Sequence, residues 1–206
     1  MNTFLCFNGG DGGDFVMQMV YWYVHGEKPN VDEFGRQELS KSVENFAVGN
    51  HNLIKCHVPW TDKNFLGAKN KRIILLYNPD PVVWNKKRVT KLRDIRYQAT
   101  GVRSIDKKIV KALKQKDFKT VYALGSSYWV ESHKFYRKDI QGTLDKTEHL
   151  LLENNMVSVD DVTNTIQFVM QYLDIDNLLS TEMISECEAY AEKQKHIIDT
   201  QWDYIV

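Results

Sequence analysis

Residues 3–7, Thr-Phe-Leu-Cys-Phe, run straight into Asn8-Gly9-Gly10-Asp11-Gly12-Gly13-Asp14, and a largely apolar stretch follows from residue 15 to 24. A strand that passes through glycines into a helix leaves backbone N–H groups at the helix N-terminus with no Cβ in front of them, an arrangement suited to an anion. This opening predicts an α/β protein with a nucleotide-binding loop. The loop is neither G-x-x-x-x-G-K-[ST] nor G-x-G-x-x-G, because no lysine follows the glycines and they fall as two doublets. Asp11 and Asp14 add carboxylates to it. Asp14 also reads as the N-cap of the following helix, and the glycines as a tight turn.

The rest of the chain continues the alternation. Residues 52–58 read as a second strand stopping at Pro59, and Ile73-Ile74-Leu75-Leu76-Tyr77 as a central parallel strand buried on both faces. Asn78-Pro79-Asp80-Pro81 ends that strand, with Asp80 as cap and Pro81 in the first turn of a basic helix over residues 82–98. Residues 31–46 read as a polar helix or an irregular excursion. Residues 104–116 form an amphipathic helix capped by Ser104, with Ile105, Ile109, Val110 and Leu113 on one face. A short strand is expected at 121–124, a helix at 126–140 and another short strand at 149–153. Two helices close the chain: 158–173, with Asp160 and Asp161 at its positive end, and 181–199. The expectation is one domain over residues 1–206, three-layer α/β/α with a mainly parallel sheet.

Composition excludes several function classes. Basic and acidic residues balance at 27 each, so no global field favours nucleic acid or an anionic membrane. Three cysteines (Cys6, Cys56, Cys187) without C-x-x-C spacing indicate reduced thiols. The absence of a leader-like or membrane-spanning stretch gives a cytoplasmic expectation. His25, His51, His133, His149 and His196 show no metal-ligand spacing, and no G-x-S-x-G elbow occurs.

Chemistry concentrates in Leu53-Ile54-Lys55-Cys56-His57-Val58-Pro59. Strand alternation sends Lys55 and His57 to one face and Ile54, Cys56 and Val58 to the other. A cation and an imidazole then emerge together near the carboxyl end of a strand, where open α/β sheets bind ligands. Such a histidine can take a proton from an attacking hydroxyl while the lysine offsets charge on a leaving group. The competing reading is a surface lysine beside a structurally hydrogen-bonded histidine. Tyr128, Trp129, Tyr136 and Trp60 could line an acceptor pocket or simply pack.

Residues 54–59, I-K-C-H-V-P, resemble the I-K-T-H-L-P segment of cytosolic-type sulfotransferases. Residues 72–82, R-I-I-L-L-Y-N-P-D-P-V, are similar to that family's strand followed by R-N-P-K-D-V. Residues 150–153 with 166–175 resemble its late strand and the helix ending F-L-G-I, and the opening loop takes the place of its 5′-phosphosulfate loop. Order and spacing agree to about residue 175. The resemblance implies a P-loop-like sulfotransferase fold that binds 3′-phosphoadenosine 5′-phosphosulfate (PAPS) without a metal. It implies sulfuryl transfer to a hydroxyl or amine of a small-molecule or glycan acceptor. On this reading His57 is the catalytic base and Lys55 helps hold the transferred group. Gly9, Gly10, Asp11, Gly12, Gly13 and Asp14 cradle the 5′ end, and Asn78 and Asn85 contribute from the second motif. Gly10 stands where the family has its loop lysine, and Tyr77 where it has the arginine that grips the 3′-phosphate. Lys86, Lys87 and Arg88 either compensate or form a solvated face. Two alternatives therefore stay open: a catalytically silent nucleotide-binding or interaction module on the same scaffold, and a small kinase-like phosphoryl transferase. Oligomeric state leaves no mark in the sequence.

Overall fold

The computed structural model describes residues 1–7, 11–28, 41–57, 63–80, 83–84, 87, 107–108, 111–112, 115, 117, 119–120, 123–124, 142–176 and 178–200. In chain order these include β1 (Asn2–Cys6), α1 (Gly13–His25), α2 (Lys41–Glu44), β2 (Asn45–Val48) and β3 (His51–Cys56). There follow α3 (Lys63–Gly67), β4 (Lys71–Tyr77), β5 (His149–Glu153), α4 (Val159–Tyr172) and α5 (Thr181–Thr200).

The five strands form one sheet in the order β2-β3-β1-β4-β5. β1 runs parallel to both neighbours, with Phe4 opposite Ile54 on one side and Ile73 on the other. β5 runs parallel to β4, and β2 pairs antiparallel with β3. The sheet is therefore mainly parallel with an antiparallel edge. That edge was not foreseen: Asn45 and Phe46 lie at the end of the segment read as a polar helix or an excursion, and Ala47 and Val48 just beyond it. Its four residues alternate exposed and buried, and a turn through Gly49 at φ +54 leads into β3.

Alternation along the strands sorts side chains onto two faces. Leu5, Phe7, Leu53, Ile74, Leu76 and Leu152 meet Val16 and Val20 of α1, Ile166 and Val169 of α4, and Met183 and Cys187 of α5. The opposite face presents Phe4, Cys6, Cys56, Ile73 and Leu75, packed against Phe65 of α3 and against Leu144. Helices thus cover both faces, compatible with a three-layer α/β/α arrangement. Cys56 faces this core, as strand alternation implied. Full burial of each large side chain stabilises by about 1.5–3 kcal/mol, which is why β1 and β4 read as unbroken apolar runs.

Local signals place the helices. Ser158 caps α4 by accepting from the Asp161 amide. Asp80 caps the helix after β4, accepting from Val83 N at 3.2 Å through its carboxylate. Val83, Trp84 and Lys87 are helical, and so are Lys107, Lys108, Lys111 and Ala112, within the two helices expected at 82–98 and 104–116. Pro81, Ser104, Ile105, Ile109, Val110 and Leu113 lie outside the described residues, as does the helix expected at 126–140. The strand expected at 121–124 is corrected: Ala123 and Leu124 are helical. A four-residue apolar run fits either period, so it does not distinguish strand from helix. Among the described residues no helix is long and apolar enough to cross a membrane.

Candidate functional site

β1 and β3 end side by side, with Cys6 opposite Cys56 and the Phe7 amide donating to the Cys56 carbonyl at 3.2 Å. Beyond this point the chain leaves in opposite directions. From β1 it enters the glycine loop and α1 on one face; from β3 it passes His57 and enters α3 on the other. Adjacent parallel strands whose connections diverge in this way open a crevice at their carboxyl ends, the position at which open α/β sheets bind ligands.

His57 sits on that edge, exposed, with Nδ1 3.0 Å from the Phe7 carbonyl oxygen and its ring edge-on to the Phe7 ring at 4.7 Å. A carbonyl only accepts, so Nδ1 carries the proton and the basic lone pair is on Nε2. The backbone of β1 thereby fixes both the tautomer and the orientation of the imidazole.

Lys55 lies two residues back, opposite Leu5 and on the α1 side of the sheet. Its ammonium is 2.8 Å from Asp14 Oδ1 and 3.4 Å from Glu44 Oε1. The expected shared face of Lys55 and His57 is present, and Lys55 is engaged there by two carboxylates of the fold.

Of the loop, Gly9 and Gly10 lie outside the described residues. Asp11 is buried. The N-cap of α1 is Gly12, in the left-handed region at φ +86, and not Asp14; Asp14 belongs to the first turn, where its carboxylate meets Lys55. The amides of Phe15 and Val16 both donate to the Gly12 carbonyl, so those of Gly13 and Asp14 precede the first intrahelical bond. Packing already demands both described glycines. A Cβ on Gly13 would stand 2.1 Å from Cδ1 of Phe7, and one on Gly12 2.8 Å from the Met156 sulfur and 3.0 Å from the Tyr190 hydroxyl. Tyr190 reaches in from α5, its ring stacked on Phe15 at 3.9 Å. Burial, with Asp14 and Asp11 nearby, pushes its phenol well above the ordinary range.

The ends of β4 and β5 complete the edge. Asn78, fully buried, accepts from the Asp80 amide at 3.0 Å, while its Nδ2 is a buried donor with no hydrogen-bond partner among the described residues. Asn85 lies outside the described residues. Beyond β5, Asn154 Nδ2 donates to the Asp161 carbonyl and to Thr165 Oγ1, and its Oδ1 accepts from Met156 N at 2.7 Å. These bonds hold Met156 at φ +52 with its sulfur against Gly12.

Of the two readings open for Lys87, the solvated face fails. The residue is 6 % exposed, and its ammonium donates to the Asn155 carbonyl. Burial pulls it down to about 8, against the opposing influence of Asp11 and Asp161. A usable signal was its spacing of three from Trp84, itself buried, which puts both on one helical face.

The edge thus combines an oriented imidazole, two lysines each near two carboxylates, and a buried amide donor with no partner among the described residues. Among the described residues no three His, Cys, Asp or Glu side chains group closely enough to hold a metal. No family model, no curated protein and no solved structure matches this chain.

Proposed function

We propose that this chain is a sulfuryl-transfer enzyme with a P-loop-like sulfotransferase fold, using PAPS as donor and a hydroxyl or amine of a small-molecule or glycan acceptor. The observation that carries the reading is His57, exposed at the divergence of β1 and β3 with its Nδ1 anchored on the Phe7 carbonyl. That anchoring presents Nε2 as the base for an acceptor proton. The donor, when bound, supplies a sulfuryl group on a phosphate leaving group. The first turn of α1 and the loop before it offer amides to the 5′ end, and the buried Asn78 Nδ2 offers a donor to phosphate oxygens. Lys55 holds the first turn of α1 to β3 through Asp14 and keeps a cation at the glycine loop.

A second reading, a catalytically silent nucleotide-binding or interaction module, is favoured by the loop itself. Phe7, Met156 and Tyr190 fill the space in front of Gly12 and Gly13, and Lys55 is engaged by Asp14 and Glu44.

Thermal unfolding with 3′-phosphoadenosine 5′-phosphate, beside ADP and ATP with and without magnesium, separates the readings. Ligand at about a hundred times its Kd adds roughly 2.7 kcal/mol, or several degrees at about 2–4 °C per kcal/mol. A shift specific to the 3′-phosphorylated nucleotide supports the donor site. A shift only with magnesium-ATP moves the assignment to phosphoryl transfer, and none with any nucleotide leaves the silent module. His57→Ala should keep the nucleotide-induced shift and lower sulfuryl transfer by roughly 10²–10⁴-fold. Unchanged turnover in that variant removes His57 as the base.

A further inference from the structure

Strand β5 is the outer strand of the described sheet on the side away from β2. Its ladder with β4 opens with Ile73 N donating to the Glu148 carbonyl and closes with Asn154 N donating to the Tyr77 carbonyl. Backbone groups alternate sides along a strand, so Leu150 and Leu152 also spend theirs on β4. Those of His149, Leu151 and Glu153 point away from β4, towards the outer edge. The side chains divide at the same positions. Leu150 and Leu152 pack towards α1 and α4, whereas His149, Leu151 and Glu153 are exposed, Leu151 by 48 %. Edge strands are commonly blunted by lysine or proline, and H-L-L-L-E contains neither.

A second apolar side chain lies uncovered on the other face of the sheet, where α4 runs back alongside β5. Thr165 meets Asn154 just beyond the strand, and Tyr172 lies against Arg72, which pairs with Glu148 just before it. Phe168 falls three residues after Thr165 and four before Tyr172, on that same flank of the helix, and is 51 % exposed. Both faces of the β5 edge therefore present apolar surface to water.

We propose that β5 is the pairing surface for a second copy of this chain, joined antiparallel about a two-fold axis at Leu151 so that two sheets become one. The exposed row suits its own reverse. In this register Leu151 stands opposite Leu151, and each His149 opposite Glu153 of the second copy. All are hydrogen-bonded pairs, each exchanging two main-chain bonds, with the imidazole and carboxylate adjacent across the seam. His149 Nδ1 donates to the Thr147 carbonyl at 3.0 Å, which fixes the ring at the strand's start. Glu153 is already engaged within its own chain, and a carboxylate's roughly four lone-pair sites let it accept from a second group. A parallel alignment would instead set Glu153 against Glu153, a like-charge contact. Such an isologous contact closes at two copies. It lies apart from the crevice between β1 and β3 and does not depend on what binds there.

Sedimentation equilibrium of the full chain tests the pairing up to about 100 μM, above the micromolar Kd at which modest interfaces begin. The mass should rise from the 24.1 kDa of one chain towards twice that value. Leu151→Lys sets two ammonium groups opposite each other and should weaken association roughly 100-fold. Leu151→Glu should do the same, while an equimolar mixture of the two variants should associate again, because at a two-fold axis this position meets itself. Should the variants not fold, amide exchange of the wild type carries the test. The Leu151 amide should lose protection on dilution, whereas the Leu150 and Leu152 amides, bonded to β4, keep theirs. A chain that stays monomeric overturns the proposal. So does a dimer indifferent to Leu151→Lys, a mixture that fails to associate, or Leu151 protection that ignores concentration. None of these results touches the nucleotide reading, which the thermal shifts decide.

Discussion

Strand β3 begins with one histidine and is followed directly by another, and the two residues live in opposite circumstances. His51, at the amino end, is buried with both ring nitrogens engaged: Nε2–H donates to Asp174 Oδ2 and Nδ1 accepts from the Thr3 hydroxyl, each at 3.3 Å. Arg72 extends this cluster, pairing with Glu148, approaching Asp174 at 3.5 Å and lying over the Tyr172 ring at 4.2 Å. Burial pulls the Arg72 guanidinium down, yet Glu148 outweighs it and leaves a permanent cation there. His57, at the carboxyl end, is exposed and oriented by backbone. The amino edge spends its polar groups on joining the sheet to the end of α4. The carboxyl edge holds a buried amide donor without a partner among the described residues and a lysine displaced from its ordinary ionisation. The same residue type at the two ends of β3 is structural where its surroundings complete its hydrogen bonding, and a candidate for chemistry where they orient it towards solvent.

Substitution can break this comparison most forcefully at the carboxyl edge. Gly13→Ala forces a methyl into the buried Phe7 ring and should destabilise by about 3 kcal/mol, the upper end for overpacking, in urea unfolding. Loss of less than about 1 kcal/mol would mean the loop yields readily. Next comes pH. Lys87 falls from 10.5 unfolded to about 8 folded, so between these values the unfolded chain holds more protons and stability rises with pH. Relative to Lys87→Met the wild type should gain about 3 kcal/mol from pH 8 to 10.5, read as the difference in urea midpoints. A pH-independent difference would remove the contrast with the permanently charged amino edge. His51→Ala should cost about 2 kcal/mol by leaving the Thr3 hydroxyl buried and unmatched, while His57→Ala stays within about 0.5 kcal/mol. Equal losses at the two histidines would erase the distinction drawn here. Ser158→Ala should cost about 1 kcal/mol through the lost cap of α4, measured by the same unfolding series.

Much of the fold was legible because its elements carry long, unambiguous periods. β1 and β4 read as strands from continuous apolar runs, α4 as a helix with Asp160 and Asp161 at its positive end, and the pointing of Lys55 and His57 from strand alternation. What was missed depends on contacts between distant positions. Asp14 was read as a cap because caps are local, whereas its actual partner is Lys55, placed beside it only when β3 docks on β1. A solvated face stayed open for Lys87 because it sits among Lys86 and Arg88; its burial follows from its contact with the β5–α4 connection. β2 escaped notice because four residues hold too little alternation to stand out from a polar segment.

The central place of β1 has a kinetic consequence. Of the five strands it is synthesised first, yet its partners Ile54 and Ile73 come tens of residues later. At ordinary translation rates residues 3–7 wait on the order of seconds as an apolar segment with both backbone edges open. Every parallel pairing in the sheet is similarly non-local, which slows the final assembly. The segment that ends up most protected in the folded molecule is therefore the one most exposed to aggregation while the chain is being made, and the natural place for a chaperone to hold it.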